Sequence, residues 1–233
     1  MEIKRYFPQN LFAFFLALLS LWGIITSFQY GAASLDYYKI RSILAIWQEE
    51  GVTQSPEQYQ QAKQTVSDAH KSHPSHPLYI DLIGQINEWG VIAGYEDKEQ
   101  ALALAKKSYL DATQLRPTWP VTWASLAMVK WRLQEFDDEL LLYLNRADKF
   151  GPRKPEVNLL YSELGLVLYK ANHPFILRIR PQVKQRLAWG LSDASSRQRI
   201  VAAIVQYDAA KIVCRWLRDE SYNIKKFIPD CKR

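Results

Sequence analysis

The segment AKKSYLDATQLRPTWPVTWASLA, residues 105–127, decides the fold that this sequence predicts. It places Ala105, Tyr109 and Ala112 on one helix face, because residues three or four positions apart lie one turn apart. Pro117 disfavours helical backbone at the residue before it, whereas Pro120 suits the first turn of a new helix. The segment therefore predicts the second helix of one hairpin, a tight turn, and the first helix of the next hairpin.

Two further copies of this spacing flank the segment. The upstream copy consists of Ala62, Val66, Ala69, Pro74, Pro77, Ile80, Ile83 and Gly84. The downstream copy consists of Leu140, Leu144, Ala147, Pro152 and Pro155. The last two copies are 35 residues apart, from Pro117 to Pro152, and a longer first interval predicts an insertion near residues 89–99. Such a period is typical of helical-repeat proteins, and an irregular helical bundle is the alternative.

The residues after the proline turn add a more specific pattern. Trp123, Leu126 and Ala127 follow the form W-x2-L-A and, with the A-x3-Y pattern of the preceding helix, resemble the tetratricopeptide repeat. That repeat is a helix-turn-helix unit of about 34 residues. The third copy departs from it, since Asn158 and Tyr161 stand where tryptophan and leucine are expected. The resemblance implies an all-α array of three helical hairpins.

The predicted helices of the array alternate with short turns. They cover residues 56–72, 77–93, 98–115, 120–134, 137–150 and 155–171. Ser55 is the expected N-cap of the first of these helices, with Pro56 as its first residue. Residues 194–217 are predicted to form the longest C-terminal helix, which would cap the open end of the array.

An apolar run, LFAFFLALLSLWGIITSF, occupies residues 11–28. As a helix it would be about 27 Å long, close to the hydrocarbon thickness of about 30 Å in a bilayer. Lys4 and Arg5 precede the run, which favours a cytoplasmic N-terminus and an exported body. We therefore expect an uncleaved single-pass anchor. A signal peptide cleaved after small residues such as Gly31 and Ala33 is the main alternative, and a buried helix of a soluble protein is a lesser one.

These patterns divide the chain into four regions. Residues 1–35 form the N-terminus and the transmembrane anchor, and residues 36–55 form a juxtamembrane helix and linker. Residues 56–172 form the helical hairpins, and residues 173–233 form a basic helical cap. The composition, 48% hydrophobic and 23% charged, is ordinary for a globular chain and supports a sizeable core.

Positive charge is concentrated in the C-terminal region. From Pro174 onward there are thirteen lysines and arginines but five acidic residues, while the net charge of the whole chain is +6. The residues predicted to bind an anionic partner are Arg178, Arg180, Lys184 and Arg186. Lipid head groups, an acidic polysaccharide or an acidic protein surface suit such charge, and a solvated basic face is the alternative. Nucleic acid is not expected for an exported body.

The two cysteines of the sequence, Cys214 and Cys231, both lie near the C-terminus. In an oxidising compartment an isolated pair suggests a disulfide. A bridge that closes a loop of this length would stabilise the protein by about 3 kcal/mol. The alternative is a buried free Cys214 and an unpaired Cys231.

The sequence contains no recognisable catalytic motif. A glycine-rich phosphate loop, a nucleophile elbow, H-E-x-x-H and C-x-x-C are all missing from it. His70, His73 and His76 are evenly spaced, but prolines interrupt them and no carboxylate or cysteine is adjacent, so a loop is a better interpretation than a zinc site. We expect a protein that is not an enzyme and that has no cofactor or metal.

Helical-repeat proteins that lack catalytic groups commonly bind other proteins through large side chains. The high aromatic content, 13% of residues, supplies such side chains here. The residues predicted to contact a protein partner are Trp89, Trp119, Trp123, Trp131 and Tyr143. Core packing is the alternative for each of them.

The layout of anchor, hairpins and basic cap with two cysteines, together with segment 111–127, is similar to the VpsP-like family. These are small inner-membrane proteins associated with exopolysaccharide biosynthesis, and hence with biofilms, in Gram-negative bacteria. The resemblance implies a periplasmic body that acts as a scaffold for polysaccharide synthesis or export partners, and it supplies no catalytic residues. One alternative is a membrane-tethered periplasmic chaperone or assembly factor of protein secretion. Another is a glycan-binding or glycan-cleaving module, whose polysaccharide affinity would depend on Arg178, Arg180 or Lys184.

Overall fold

The structure is a computed structural model that describes residues 7–52 and 55–231, with side chains from Leu11 onward. Within these residues it contains eleven helices and no strand, which confirms the all-α prediction. The helices are α1 (Phe7–Glu50), α2 (Pro56–Ser72), α3 (Pro77–Ile92), α4 (Lys98–Leu115), α5 (Pro120–Arg132), α6 (Asp138–Phe150), α7 (Pro155–Lys170), α8 (Ile176–Ser192), α9 (Ala194–Gln206), α10 (Ala210–Trp216) and α11 (Tyr222–Lys225). The predicted orientation of the anchor in the membrane depends on Lys4 and Arg5, which lie outside the described residues.

Prolines begin four of the helices, as the repeated pattern predicts. Pro56, Pro77, Pro120 and Pro155 are the first residues of α2, α3, α5 and α7, where a missing N–H breaks no helical hydrogen bond. Ser55 caps α2 by accepting a hydrogen bond of 3.2 Å from a backbone N–H of the first turn. All six helices predicted between residues 56 and 171 are confirmed, and their ends differ from the prediction by two residues at most.

The prediction of one long helix over residues 194–217 is wrong. The structure divides this segment into α9 and α10, and Asp208 between them has left-handed backbone with a φ of 51°. The N–H of Ala209 donates to the carbonyl of Ile204 at 2.9 Å, which closes α9 with a Schellman-type hydrogen bond. Aspartate tolerates left-handed backbone better than most residues. The apolar spacing continues across this break, so periodicity alone does not reveal it.

The chain forms two compact units, Met1–Asp97 and Lys98–Arg233. In the first unit, α1 continues without a break from the apolar run into the segment that packs on α2 and α3. Its 44 residues extend about 66 Å. The N-terminal half of α1 is exposed, and Phe28 has 79% of its surface accessible. The C-terminal half packs on α2 and α3 through Ile40, Leu44 and Trp47. Thus one described helix is long and apolar enough to cross a membrane.

Small side chains on the helix faces allow the helices of the second unit to approach closely. Ala105, Ala112, Ala127 and Ala147 are all buried, which agrees with the small-residue spacing of the repeated segment. Glycine has the same role between α7 and α8, because a side chain at Gly165 would collide with Val183. Helical hairpins of this kind are compatible with the predicted array.

A buried lysine joins α4, α5 and α6. The side chain of Lys130 is 3% exposed, and its ammonium group is paired with Glu135, with Asp137 at 2.6 Å and with Glu139 at 3.0 Å. Glu139 also accepts a hydrogen bond of 2.7 Å from Lys106 of α4. The other carboxylate oxygen of Asp137 caps α6 by accepting a hydrogen bond of 2.9 Å from the N–H of Leu140. One ammonium group therefore holds the α5–α6 turn in place.

This network shifts the pKa values of its members. Burial by itself raises the pKa of Glu139, but hydrogen bonds from Lys106, Tyr143 and Lys130 outweigh burial and lower the pKa to about 2. Burial by itself lowers the pKa of Lys130, but hydrogen bonds to Asp137, Glu135 and Glu139 raise the pKa above its ordinary value. The network is therefore ionised at neutral pH and stabilises the folded state there.

Replacing Lys130 by methionine in the full chain, kept in detergent, should lower the free energy of unfolding by about 1–3 kcal/mol, because three carboxylates lose their shared cation. Urea unfolding followed by far-UV circular dichroism at neutral pH measures this loss. The matched control is Lys107→Met, since Lys107 is exposed on α4 and forms no ion pair within the described residues. The control should change stability by less than about 0.5 kcal/mol.

Acid pH provides a second readout of the same prediction. The pKa of Glu139 is about 2 in the folded state, below its unfolded value of about 4.3. The stabilisation that ionised Glu139 gives to the folded state is therefore complete at pH values above the unfolded pKa. This stabilisation is lost as the pH falls from about 5 towards 2. As the pH falls, the free energy of unfolding should decrease less steeply for Lys130→Met than for the wild type. Equally steep losses in both proteins would show that the network does not stabilise the fold.

Candidate functional site: a basic cavity beside helix α8

A cavity of about 470 Å³ lies between α8 and residues 212–219. Its lining residues are Arg180, Lys184, Ile212, Arg215, Trp216, Arg218 and Asp219. Pockets that bind small ligands commonly have volumes of about 300–1,000 Å³. Four cationic side chains and a single carboxylate line this cavity, so its net charge is positive.

Most of this positive charge is not neutralised by the protein. Arg180, Lys184 and Arg215 form no ion pair with a carboxylate of the described residues. Arg218 lies 3.5 Å from Asp219, but both side chains are highly exposed, and such a surface pair contributes about 1 kcal/mol at most. Guanidinium groups bind carboxylates and phosphates with paired hydrogen bonds. The cavity is therefore suited to an anionic ligand.

One wall of the cavity is apolar. Ile212 and Trp216 are both half-buried, and the Trp216 ring meets Tyr169 edge-on with 5.4 Å between the ring centroids. Cys214 of the same helix is bonded to Cys231, so the structure contains the disulfide that the sequence predicts. The disulfide ties α10 to the C-terminal end of the described chain. A ligand in the cavity would meet the Trp216 side chain and several cations, which suits a molecule that has both an apolar part and an acidic group.

The structure brings together two of the four basic residues that were expected to bind an anionic partner. Arg180 and Lys184 line the cavity. Arg178 is exposed outside the cavity and bonds to the Asp138 carboxylate at 2.6 Å. Arg186 is fully buried, and the expectation that it binds an external partner does not fit its position.

Sequence reasoning missed the other two cations of the cavity, Arg215 and Arg218. Their spacing of three residues was the available signal, because side chains at this distance share one side of a helical turn. The signal was weak for two reasons. Two other basic pairs in this region, Arg180 with Lys184 and Lys211 with Arg215, have a similar spacing. The break at Asp208 also changes which faces of α9 and α10 lie together.

Arg186 instead attaches α8 to the α6–α7 hairpin. Its guanidinium group bonds to the Asp148 carboxylate through Nε at 2.9 Å and also through Nη2. It donates to the backbone carbonyls of Asp148 at 3.0 Å, Gly151 at 2.7 Å and Pro152 at 3.0 Å. It also donates to the side chain of Asn158 in α7 at 3.1 Å. Carbonyl groups at the end of α6 lack helical partners, and Arg186 satisfies them with a favourable positive charge.

Of the aromatic residues expected to contact a protein partner, two serve mainly in packing. Trp89 belongs to the first unit and packs on Trp47, with 5.9 Å between the ring centroids. Tyr143 is 3% exposed, and its hydroxyl donates to Glu139 at 2.6 Å. The core alternative therefore describes both residues better.

The other three aromatic candidates are half-buried in the second unit. Trp123 lies 6.0 Å from Tyr143 between ring centroids, and its Nε1 donates to the carbonyl of Pro117 at 2.8 Å, so it supports the α4–α5 turn. Trp119 lies beside the cations of Arg116 and Lys154, at 4.0 Å and 5.0 Å from its ring. Trp131 lies near the C-terminal end of α5. Trp119 and Trp131 are thus half-buried candidates whose rings meet no other aromatic ring among the described residues.

Two clusters have residues of the kind that bind metals. The carboxylates of Glu135, Asp137 and Glu139 lie within 4.8 Å of one another, but the ammonium group of Lys130 already lies among them. In the turn between α2 and α3, His73 and His76 are stacked on tyrosine rings. The first cluster supports the α5–α6 turn, and the imidazoles take part in ring packing.

Comparison with known proteins adds no assignment: no protein-family model matches the chain, and no curated protein matches it.

Arg186→Met should lower the free energy of unfolding by about 3 kcal/mol, because the Asp148 carboxylate and several carbonyls lose their buried cation. Arg178→Met is the matched control, since it removes an arginine from the same helix that is also paired with an aspartate. The exposed pair of Arg178 should contribute less than about 1 kcal/mol. Urea unfolding of both full-length variants in detergent measures the difference, and equal losses would contradict the role given to Arg186.

Reversing two charges of the cavity, with Arg180→Glu and Lys184→Glu, should abolish retention of the protein on an immobilised acidic polysaccharide such as polygalacturonate. The matched control carries Lys149→Glu and Arg153→Glu, which change the net charge equally on exposed side chains outside the cavity. Retention of the control should stay close to that of the wild type and should weaken as salt is raised. Equal losses in both variants would indicate attraction by net charge without a defined site.

Proposed function

We propose that this chain is a membrane-anchored, non-catalytic adaptor of bacterial exopolysaccharide biosynthesis or export, which binds its protein partners through a helical-hairpin surface. The observation that carries the proposal is the form of α1. One half of this helix is an exposed apolar run, and the other half is part of the core of the first unit. A helix of this kind suits a protein that must present its body at a membrane.

The proposed location is the bacterial inner membrane, with a cytoplasmic N-terminus and a periplasmic body. Lys4 and Arg5, which precede the apolar run in the sequence, support this orientation through the positive-inside tendency. The disulfide between Cys214 and Cys231 also supports it, because such bonds persist in oxidising compartments such as the periplasm.

Two observations support a role in polysaccharide assembly. The first is the similarity in layout to the VpsP-like proteins. The second is the cavity, because Arg180, Lys184 and Arg215 suit the carboxylates of an acidic polymer and Trp216 offers an apolar surface to a sugar ring. Binding of such a polymer would place the adaptor beside the product of the machinery that it serves.

The surface proposed for protein partners includes both ends of α5, where Trp119 and Trp131 are half-buried. Tryptophan and arginine are both enriched at the energetic centres of protein interfaces. Trp119 and Arg116 lie together, with the guanidinium carbon 4.0 Å from the ring centroid. Truncation of these two rings should therefore remove contacts with a partner while leaving the core residue Tyr143 in place.

Crosslinking in cells, followed by affinity purification of the full-length protein, should recover polymerase or export components of a polysaccharide pathway. The double variant Trp119→Ala, Trp131→Ala should lose them, whereas the control Leu104→Ala, which truncates an exposed leucine of α4, should retain them. Circular dichroism of each variant checks that it is folded.

The identity of the recovered proteins decides between the functional alternatives. Secretion or folding factors in place of polysaccharide components would support the periplasmic chaperone and overturn the polysaccharide assignment. Recovery of the same proteins with the tryptophan variant would overturn the proposed contact surface. A folded, membrane-bound protein that recovers no partner at all would contradict the adaptor role.

A further inference from the structure

We infer that the turn between α2 and α3, residues 73–76, lies in the head-group layer of the bilayer that α1 enters. The first unit would then rest directly on the membrane, with the α2–α3 turn as its contact surface for lipid. This inference rests on the proposed anchoring of α1 and adds to it the position of the body.

The continuity of α1 is the first argument. The exposed apolar run ends at Phe28, and two residues later Tyr30 is stacked on His73 with 4.3 Å between the ring centroids. Two residues of α-helix correspond to a rise of about 3 Å. Ala33, one turn further on, is 1% exposed because it packs in the cluster that contains Ala69 and Tyr79. The body therefore begins where the lipid-facing run ends, without a linker that would separate them.

The direction of the helices shows which end of the first unit faces the bilayer. Trp47, near the other end of α1, contacts Trp89 near the end of α3, with 5.9 Å between the ring centroids. From Tyr30 to Trp47 the helix rises about 26 Å. Helix α2 thus runs back along α1 towards the apolar run, the turn at residues 73–76 reverses the chain, and α3 runs away again. The turn is the end of this unit that lies beside Tyr30.

The chemistry of the turn suits the head-group layer. Rings with a polar edge are favoured at membrane interfaces. At this end of the unit Tyr30 is stacked on His73, His73 meets His76 edge-on, and His76 is stacked on the buried Tyr79. Residues 69–80 contain no carboxylate, and the nearest exposed one, Asp68 of α2, is paired with Lys71 at 3.1 Å. The first carboxylate of α1 after the apolar run is Asp36, about 9 Å further along the helix axis than Tyr30.

Site-specific fluorescence quenching tests the inference with the full chain. The native cysteines are joined in a disulfide, so a single introduced cysteine can be labelled under non-reducing conditions with a nitrobenzoxadiazole fluorophore. Three exposed positions report on three depths: Leu19→Cys in the apolar run, Ser75→Cys in the turn, and Glu49→Cys at the far end of the unit. Each labelled protein is reconstituted in vesicles of phosphatidylcholine and phosphatidylglycerol, and circular dichroism checks its fold.

Lipids with a spin label deep in the acyl chain should remove most of the fluorescence at position 19. Lipids with a spin label in the head group should remove most of the fluorescence at position 75. Position 49 should respond to neither lipid and should instead be quenched by iodide from the water. This pattern would support both the anchor and the apposition of the turn.

The other patterns overturn the inference in distinguishable ways. If position 19 is quenched from the acyl chains while position 75 behaves like position 49, the anchor stands and the body is held away from the bilayer. If position 19 responds only to iodide, the anchoring fails, and the position of the turn fails with it. If positions 75 and 49 are both quenched by head-group labels, the unit lies along the membrane and the turn is not its specific contact.

Discussion

The arrangement of α8 depends on one buried cation, Arg186. Its guanidinium group satisfies carbonyls at the end of α6, the carboxylate of Asp148 and the side chain of Asn158. It therefore needs the same face of α8 turned inward as the buried apolar residues Ile179 and Val183. At about 100° per residue, Arg180 and Lys184 lie about 120–160° around the helix from it. Burial of the face that contains Arg186 therefore directs Arg180 and Lys184 outward, where they line the cavity.

Lys130 has a comparable role between α5 and α6, and the two networks stabilise the fold for the same physical reason. Each places one cation where a turn leaves carboxylates or carbonyls without partners, and each cation is almost completely buried. A buried charge is expensive to desolvate, so it stabilises the fold only when its partners are all in position. Such networks therefore favour one arrangement of the hairpins over alternatives that would leave the cation unpaired.

Helix α1 must satisfy two environments with one continuous hydrogen-bonded backbone. Its first half presents apolar side chains on every side, as lipid requires, while its second half is amphipathic and packs on α2 and α3. The absence of a break between the two halves, within the described helix, makes the first unit and the proposed anchor a single rigid element. A flexible linker after the anchor would have let the body move freely above the membrane.

The sequence by itself determined the elements that depend on local physics. Prolines define the starts of α2, α3, α5 and α7, the run at residues 11–28 marks the membrane-compatible helix, and the isolated cysteines predict their bond. Candidate site residues were predicted less well: Arg180 and Lys184 line the cavity, but Arg186 and Tyr143 are buried, and Arg215 and Arg218 were missed. Only the tertiary structure decided these roles, because a basic or aromatic side chain has the same sequence pattern whether it faces solvent or a partner inside the protein. The end of α9 before Asp208 was also visible only in the structure, since the apolar spacing continues across the turn and the hydrogen bond from Ala209 to Ile204 that closes the helix leaves no mark in the periodicity.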